Sequence, residues 1–226
     1  MQYKIIGNTM PAVEVYFDEP GEAMYTQSGG MAWMSEGILM DSNMKGGFGK
    51  SIGRMFSGES LFMATYKAER AGSMIAFAST VAGEIFPFDV GESSGLICQK
   101  GAFLCAQETV ELNVAFTRKL SAGMFGGEGL ILQDVSGTGM VFLEIDGNKV
   151  EKTLSSGEVI KVDTGNVVAF ERSVQYEIEK VKGLKNIFLG GEGLFLTKLT
   201  GPGKVILQTQ NFNEFAGRII RMVPSR

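Results

Sequence analysis

Apolar and polar side chains alternate along several short segments of the chain. The clearest examples are residues 12–17 (Ala-Val-Glu-Val-Tyr-Phe), 159–163 (Val-Ile-Lys-Val-Asp) and 175–181 (Gln-Tyr-Glu-Ile-Glu-Lys-Val). A period of two is typical of a β-strand with one buried face and one wet face. Glycine-rich turns lie between such segments, and Asp146-Gly147-Asn148 has the residues of a hairpin turn. The pattern predicts an all-β fold of many short strands.

Helical periodicity is nearly absent. Residues 43–56 place apolar side chains at near-helical spacing, but interior glycines make a helix there unfavourable. The tail is the second candidate, because Phe212, Phe215 and Ile219 fall on one side of a helix. We predict one or two helical turns within residues 211–220.

One short motif, Gly-Glu-(Gly or Ser)-Leu, occurs three times. It surrounds Glu59, Glu128 and Glu192, at spacings of 69 and 64 residues. A Gly-Glu dipeptide recurs in phase with it, beginning at positions 21, 91 and 157. Elements that share one period indicate internal repetition of a structural unit.

The period predicts three tandem repeats that pack side by side in one body. The repeats span about residues 12–80, 81–147 and 148–210, and a tail of residues 211–226 follows. No linker rich in serine or proline separates them. We therefore expect a single domain.

Composition restricts the chemistry. The chain has 31 glycines, 5 prolines and no histidine among 226 residues, and its net charge is −4. The lack of histidine excludes Ser-His-Asp and Cys-His catalysis and histidine-ligated metals. The acidic balance argues against nucleic acid as a partner. We predict a protein that is not an enzyme, with no metal and no cofactor.

Single residues that could carry chemistry have simpler structural interpretations. Cys98 and Cys105 are predicted to be buried free thiols, since no CxxC motif is present and no histidine could activate them. Trp33, the only tryptophan, is expected to fill the core. The N-terminus lacks the apolar run of a signal peptide and no stretch is long enough to span a membrane, so we predict a cytoplasmic location.

Glu59, Glu128 and Glu192 are the first candidate interaction residues. Three equivalent carboxylates on one rim would face a cation or a basic partner. In the alternative interpretation, each glutamate accepts backbone N–H bonds within its glycine turn. One carboxylate per repeat suits neither acid–base catalysis nor a calcium site.

The segment Gly46–Ser51 is the second candidate, because it ends like a phosphate-binding loop. The full motif needs glycine where this chain has Met44, so nucleotide binding is not favoured. A mildly basic loop is the simple alternative. We also consider a docking loop, in which Phe48, Lys50 and Arg54 contact a protein partner or a membrane surface.

Two longer runs, residues 53–66 and 201–210, resemble the signatures of the AIM24 family, also called DUF124. The resemblance implies a fold similar to the tryptophan RNA-binding attenuation protein, with three tandem β-sandwich units per chain. We therefore predict an all-β body of three tandem units of the β-sandwich or double-stranded β-helix type. It also implies trimers in which three chains give a nine-unit ring. A mitochondrial relative is linked to inner-membrane organisation, and no catalytic residues carry over. RNA binding does not carry over either, since the chain lacks a basic rim.

Two functions are therefore predicted. The first is a non-enzymatic β-ring scaffold, a homo-oligomer that binds a protein partner or the membrane periphery through residues 43–56 or the glutamate rim. The alternative is a small-molecule binding protein with pockets between repeats or subunits.

Overall fold

The computed structural model describes residues 1–27, 29–41, 63–91, 95–118, 130–180 and 195–223. Nearly all of their regular structure is β-strand, which confirms the predicted all-β class. The first seven strands are β1 (Gln2–Ile6), β2 (Ala12–Tyr16), β3 (Ala23–Gln27), β4 (Met31–Met34), β5 (Ile38–Asp41), β6 (Met63–Ala68) and β7 (Met74–Ala78).

Twelve further strands and one α-helix follow along the described chain. The strands are β8 (Gly83–Asp89), β9 (Leu96–Gln99), β10 (Phe103–Gln107), β11 (Val110–Arg118), β12 (Leu130–Gly137), β13 (Met140–Asp146), β14 (Lys149–Leu154), β15 (Val159–Asp163), β16 (Val167–Glu171), β17 (Gln175–Lys180), β18 (Phe195–Thr200) and β19 (Gly203–Gln208). The helix α1 spans Phe212–Met222. Short 3₁₀ turns, Lys100–Ala102 and Thr164–Asn166, precede β10 and β16.

The strands form four antiparallel sheets. Sheet A has the order β1-β2-β7-β4, and sheet D has the order β15-β18-β17. Sheets B and C have six strands each, in the orders β5-β6-β3-β10-β13-β8 and β11-β12-β9-β16-β19-β14. Sheets B and C thus each join strands from two neighbouring parts of the chain.

The same pairing order occurs three times. Strands β2–β7, β8–β13 and β14–β19 form three strand sets, which we number one to three. In each set the second strand from the N-terminus pairs with the fifth, which also pairs with the fourth, and the last strand lies between the first and the third. The third strand of every set has a register shift, between Met31 and Trp33, Phe103 and Cys105, or Val167 and Ala169. The repeat boundaries given by the sequence stay a prediction.

Three hydrophobic cores lie between the four sheets. The core between sheets A and B contains Phe77 against Tyr66, with ring centroids 6.0 Å apart. Between sheets B and C, Tyr25 stacks on Phe103 at 5.5 Å. The core between sheets C and D includes Phe170, which is 1% exposed. Sheets B and C are therefore buried on both faces, whereas each end sheet contributes to one core only.

Several sequence predictions are confirmed and others are wrong. The alternating segments form β2, β15 and β17, and the tail helix forms but runs for 11 residues. The predicted hairpin at Asp146–Asn148 is wrong. Gly147 makes the turn with φ of 72°, but β13 lies in sheet B and β14 in sheet C. The expectation that Trp33 fills the core is also wrong, since its exposed fraction is 42%.

Candidate functional site

A central cavity of about 440 Å³ lies where the three strand sets meet. Its wall is built from the ends of β3, β9, β13 and β19, from both 3₁₀ turns and from the first residues of α1. A Cβ at Gly165 in the second turn would lie 1.8 Å from Asn211 Nδ2, so a larger residue would displace the Asn211 side chain. The turn therefore fits closely under the start of the helix.

Two carboxylates, Glu144 and Asp146, line the cavity from strand β13. They are two residues apart, so they project from the same face of the strand. Glu144 accepts the backbone N–H of Thr80 at 2.9 Å and the Ser79 hydroxyl at 3.1 Å. Asp146 accepts the N–H of Phe212 at 2.9 Å. Neither carboxylate forms an ion pair within the described residues.

Burial changes the proton affinity of both groups. Desolvation raises the pKa of Glu144, although the hydrogen bonds from Thr80 and Ser79 oppose the shift, and the nearby Asp146 charge adds to it. Desolvation also raises the pKa of Asp146, against the N–H bond from Phe212. Two neighbouring, partly desolvated carboxylates create a negative potential in the cavity.

Amide side chains line the cavity beside these carboxylates. Gln99, at the end of β9, donates its Nε2 hydrogen to the Thr164 carbonyl at 2.5 Å. Gln208 donates to the Gly165 carbonyl at 2.9 Å and accepts the N–H of Asp146 at 2.9 Å. Gln27 at the end of β3 is the counterpart of Gln99 at the end of β9. The Nε2 atom of Gln27 is buried and has no hydrogen-bond partner among the described residues. This amide is therefore available as a donor at the cavity wall.

Strand β4 is an edge strand of sheet A, and β15 is an edge strand of sheet D. The outer edge of each strand pairs with no other described strand. Trp33 on β4 is 42% exposed, whereas the residues at the same pairing position in the other sets, Cys105 and Ala169, are both 0% exposed. On β15, the Lys161 side chain is 51% exposed, whereas the residues at the same pairing position in the other sets, Tyr25 and Ile97, are buried. In sets two and three the positions matching Trp33 are covered because a preceding set pairs with them.

The family of the chain follows from comparison with known proteins. A family model described as "Mitochondrial biogenesis AIM24" matches residues 3–210. The chain belongs to the AIM24 family. The resemblance drawn from residues 53–66 and 201–210 is thus confirmed at the level of the family, while the similarity to the tryptophan RNA-binding attenuation protein stays a prediction.

Two relatives from Streptococcus pyogenes match this AIM24-family chain over almost its full length. An uncharacterized protein of serotype M6 is 28% identical over 223 residues, which cover 95% of this chain and 88% of that protein. A crystal structure of a protein from the same species superimposes with a TM-score of 0.78 at 26% identity, and covers 98% of this chain and 99% of that chain.

The interaction residues predicted from sequence lie outside the described part of this AIM24-family chain. They are Glu59, Glu128, Glu192, Phe48, Lys50 and Arg54. Sequence reasoning missed the carboxylates of the cavity. The signal for them was two acids on one face of a strand that is otherwise almost wholly apolar, since every other described residue of β13 except Met140 is buried.

The described ranges hold no group of three or more His, Cys, Asp or Glu side chains that could share a metal ion. Both cysteines are buried and free of disulfides, as predicted. Within these ranges no helix has the length and apolar character needed to cross a bilayer.

Proposed function

We propose that this AIM24-family protein is a non-enzymatic scaffold whose copies join head to tail into a ring, and that the ring binds a protein partner or the membrane periphery. The observation that carries the assembly is the order of the end sheets. Sheet D read as β17-β18-β15, followed by sheet A of a second copy read as β4-β7-β2, repeats the six-strand order of sheets B and C. Sheet D and sheet A thus correspond to the two halves of one six-stranded sheet, which would join through β15 and β4.

The existing junctions define the register of this seam, which is the contact between β15 of one copy and β4 of the next. At the first junction Cys105 lies opposite Thr26, and at the second Ala169 lies opposite Cys98. Trp33 takes the place of Cys105 and Ala169, since all three follow the register shift of their strand.

The matching position on β15 follows from its other neighbour. On the side away from the seam, Thr26 pairs with Ala64, Cys98 pairs with Gln133 and Val162 pairs with Thr197. Each of these three partners lies five residues after one of the repeated glutamates, so Val162 is the counterpart of Thr26 and Cys98. The seam therefore places Trp33 opposite Val162 of the partner subunit.

Physical arguments favour closure of the ring. Each edge strand presents unpaired backbone N–H and C=O groups, and Trp33 and Met34 leave apolar surface in water at the seam. A head-to-tail contact either closes into a ring or grows into a filament. The family resemblance favours closure at three chains, which would give nine strand sets in the ring. The histidine-free composition supports a role without catalysis.

Engineered cysteines test the seam and its register. We expect the Trp33→Cys, Val162→Cys double variant to form intermolecular disulfides on mild oxidation. Directly opposed residues of antiparallel strands have Cα atoms about 4.5–5.5 Å apart, within the range a disulfide spans. Non-reducing electrophoresis should show a covalent species near three times 24.4 kDa.

The matched control moves one cysteine by one residue. In Trp33→Cys, Lys161→Cys the second thiol lies on the opposite face of β15, so cross-linking should fall at least about tenfold. Equal cross-linking of the two variants would disprove the register. A wild-type protein that is a clean monomer in native mass spectrometry would overturn the ring.

The central cavity favours a second candidate function, the binding of a small molecule. Its Gln27 amide donor and its two carboxylates, Glu144 and Asp146, suit a ligand that combines a hydrogen-bond acceptor with an ammonium group. Free amino acids have this chemistry. Nucleotide phosphates are disfavoured, because Glu144 and Asp146 outnumber Lys100, the one cationic side chain of the described lining.

Thermal unfolding with added ligand tests this candidate. We expect one or more amino acids, but no nucleotide, to raise the Tm by roughly 5–10 °C at a hundredfold excess over Kd. Glu144→Gln with Asp146→Asn should abolish the shift, whereas Glu177→Gln, an exposed carboxylate on β17, should keep it. Because burial raises the pKa of both cavity carboxylates, the affinity should increase with pH as they ionise. No shift with any amino acid, or an equal shift in both variants, would exclude the candidate.

A further inference from the structure

The C-terminal helix α1 is attached to the body at its first turn. The N–H of Phe212 is held by Asp146 at 2.9 Å, and Asn211 caps the helix by accepting the N–H of Glu214 at 3.3 Å. Beyond this turn the helix is little covered. Of the helix residues whose burial is described, only Ala216 and Gly217 are half-buried, and the others are exposed.

The exposed helix has two sharply different faces. Its apolar face consists of large side chains with exposed fractions between 42% and 81%. These side chains are Phe212, Phe215, Ile219, Ile220 and Met222. At about 100° per residue they cover roughly 160° of the helix circumference. The opposite face carries the ion pair between Arg218 and Glu214, whose atoms are 2.6 Å apart, and Asn213 lies at the border beside Ile220.

The shape of the apolar face indicates what covers it. A helical partner in a coiled coil covers a narrow seam formed by two positions of each heptad. A face that takes up nearly half the circumference fits a flat apolar medium, with the helix lying parallel to its surface.

The charge of the segment is consistent with a lipid surface. Residues 211–226 contain three arginines and one glutamate, although the whole chain has a net charge of −4. Segregated faces, aromatic and branched apolar side chains and an excess of arginine are the features of helices that lie in the interface of anionic bilayers.

We propose that α1 is an interfacial helix that docks the protein on the surface of an anionic lipid bilayer. The inference deepens the proposed scaffold, because it assigns the membrane contact to α1. In a ring, several copies of the helix would act together, so the binding of the assembly exceeds that of one helix by avidity.

Vesicle co-sedimentation tests the proposal. We expect the wild-type protein to bind vesicles of phosphatidylcholine with about 30% phosphatidylglycerol, and to bind pure phosphatidylcholine more weakly, because the arginines are attracted to anionic headgroups. Ile219→Glu should lower the partition coefficient at least about tenfold, since it places a charge in the apolar face. Arg218→Gln makes the same change of one charge unit on the polar face, where the side chain is 64% exposed, and should lower the partition coefficient several-fold less.

Three outcomes would overturn the proposal. They are no binding to anionic vesicles, equal losses in the two variants, and a wild-type oligomer that Ile219→Glu dissociates in native mass spectrometry. The last outcome would mean that a second copy covers the apolar face. The two proposals can fail separately, because the seam is formed by β4 and β15 and not by α1. A wild-type ring that does not bind vesicles would overturn the interfacial helix and support the ring. A wild-type monomer that binds vesicles would overturn the ring and support the interfacial helix.

Discussion

Phe170→Ala is expected to lower the free energy of unfolding by about 3–5 kcal/mol. The Phe170 side chain is 1% exposed in the core between sheets C and D, and its ring lies 5.2 Å from the Tyr176 ring. Sheets on both sides hold this core, so it cannot collapse fully around the lost ring, and a cavity remains. Urea denaturation followed by circular dichroism measures the change.

The same truncation at Met34 is the matched control. Met34 and Phe170 occupy the same position in their strand sets, because Met34 pairs with Ile75 on β7 and Phe170 pairs with Val205 on β19. Met34 is nevertheless 39% exposed. Met34→Ala should cost less than about 1 kcal/mol in a dissociated chain. In the assembled protein its cost should depend on protein concentration, because it weakens the seam. Equal losses at the two positions at low concentration would contradict this account.

Alkylation of the native cysteines is expected to be slower by on the order of a thousandfold in the folded protein than in urea at pH 8. Burial raises the pKa of the Cys98 thiol to about 12 and also raises the pKa of Cys105. The reactive thiolate is therefore almost absent at pH 8, and both side chains are 0% exposed. Mass spectrometry after timed addition of iodoacetamide gives both rates.

A cysteine introduced at an exposed position is the control that separates the effect of burial on the alkylation rate from the effect of urea on the reagent. Met10→Cys places a cysteine where the native side chain is 56% exposed, so the introduced thiol should react at nearly the same rate with and without urea. If Cys98 and Cys105 were labelled in the folded variant as fast as this introduced thiol, the buried position of the two native thiols would be contradicted.

Local sequence predicted the strands well because their signal is local. Residues 159–163 alternate and form β15, and residues 175–181 alternate and form β17 up to residue 180. Turn chemistry is also local, but it carries no information about pairing. Residues 146–148 do form a tight turn, and the strands around it still enter different sheets.

Burial at the ends of the stack could not be predicted in the same way. Trp33 has the sequence context of a core residue, and its counterparts Cys105 and Ala169 are core residues. Its exposure follows because no described strand pairs with the outer edge of β4, which is a property of the whole topology. The cavity could not be predicted from sequence for the same reason, because its contacts join residues that are far apart in the chain. Glu144 contacts Ser79 across 65 residues, and Asp146 contacts Phe212 across 66 residues.

The proposed head-to-tail seam would give any ring built from it two different sides. A purely cyclic assembly has no two-fold axis across its plane, so its two flat sides are different and every copy presents the same side in the same direction. Phe212 begins α1 and also lines the central cavity. All helices and all cavities would therefore occupy equivalent places in a single orientation, and a bilayer that held the helices would lie next to Phe212 in the wall of every cavity.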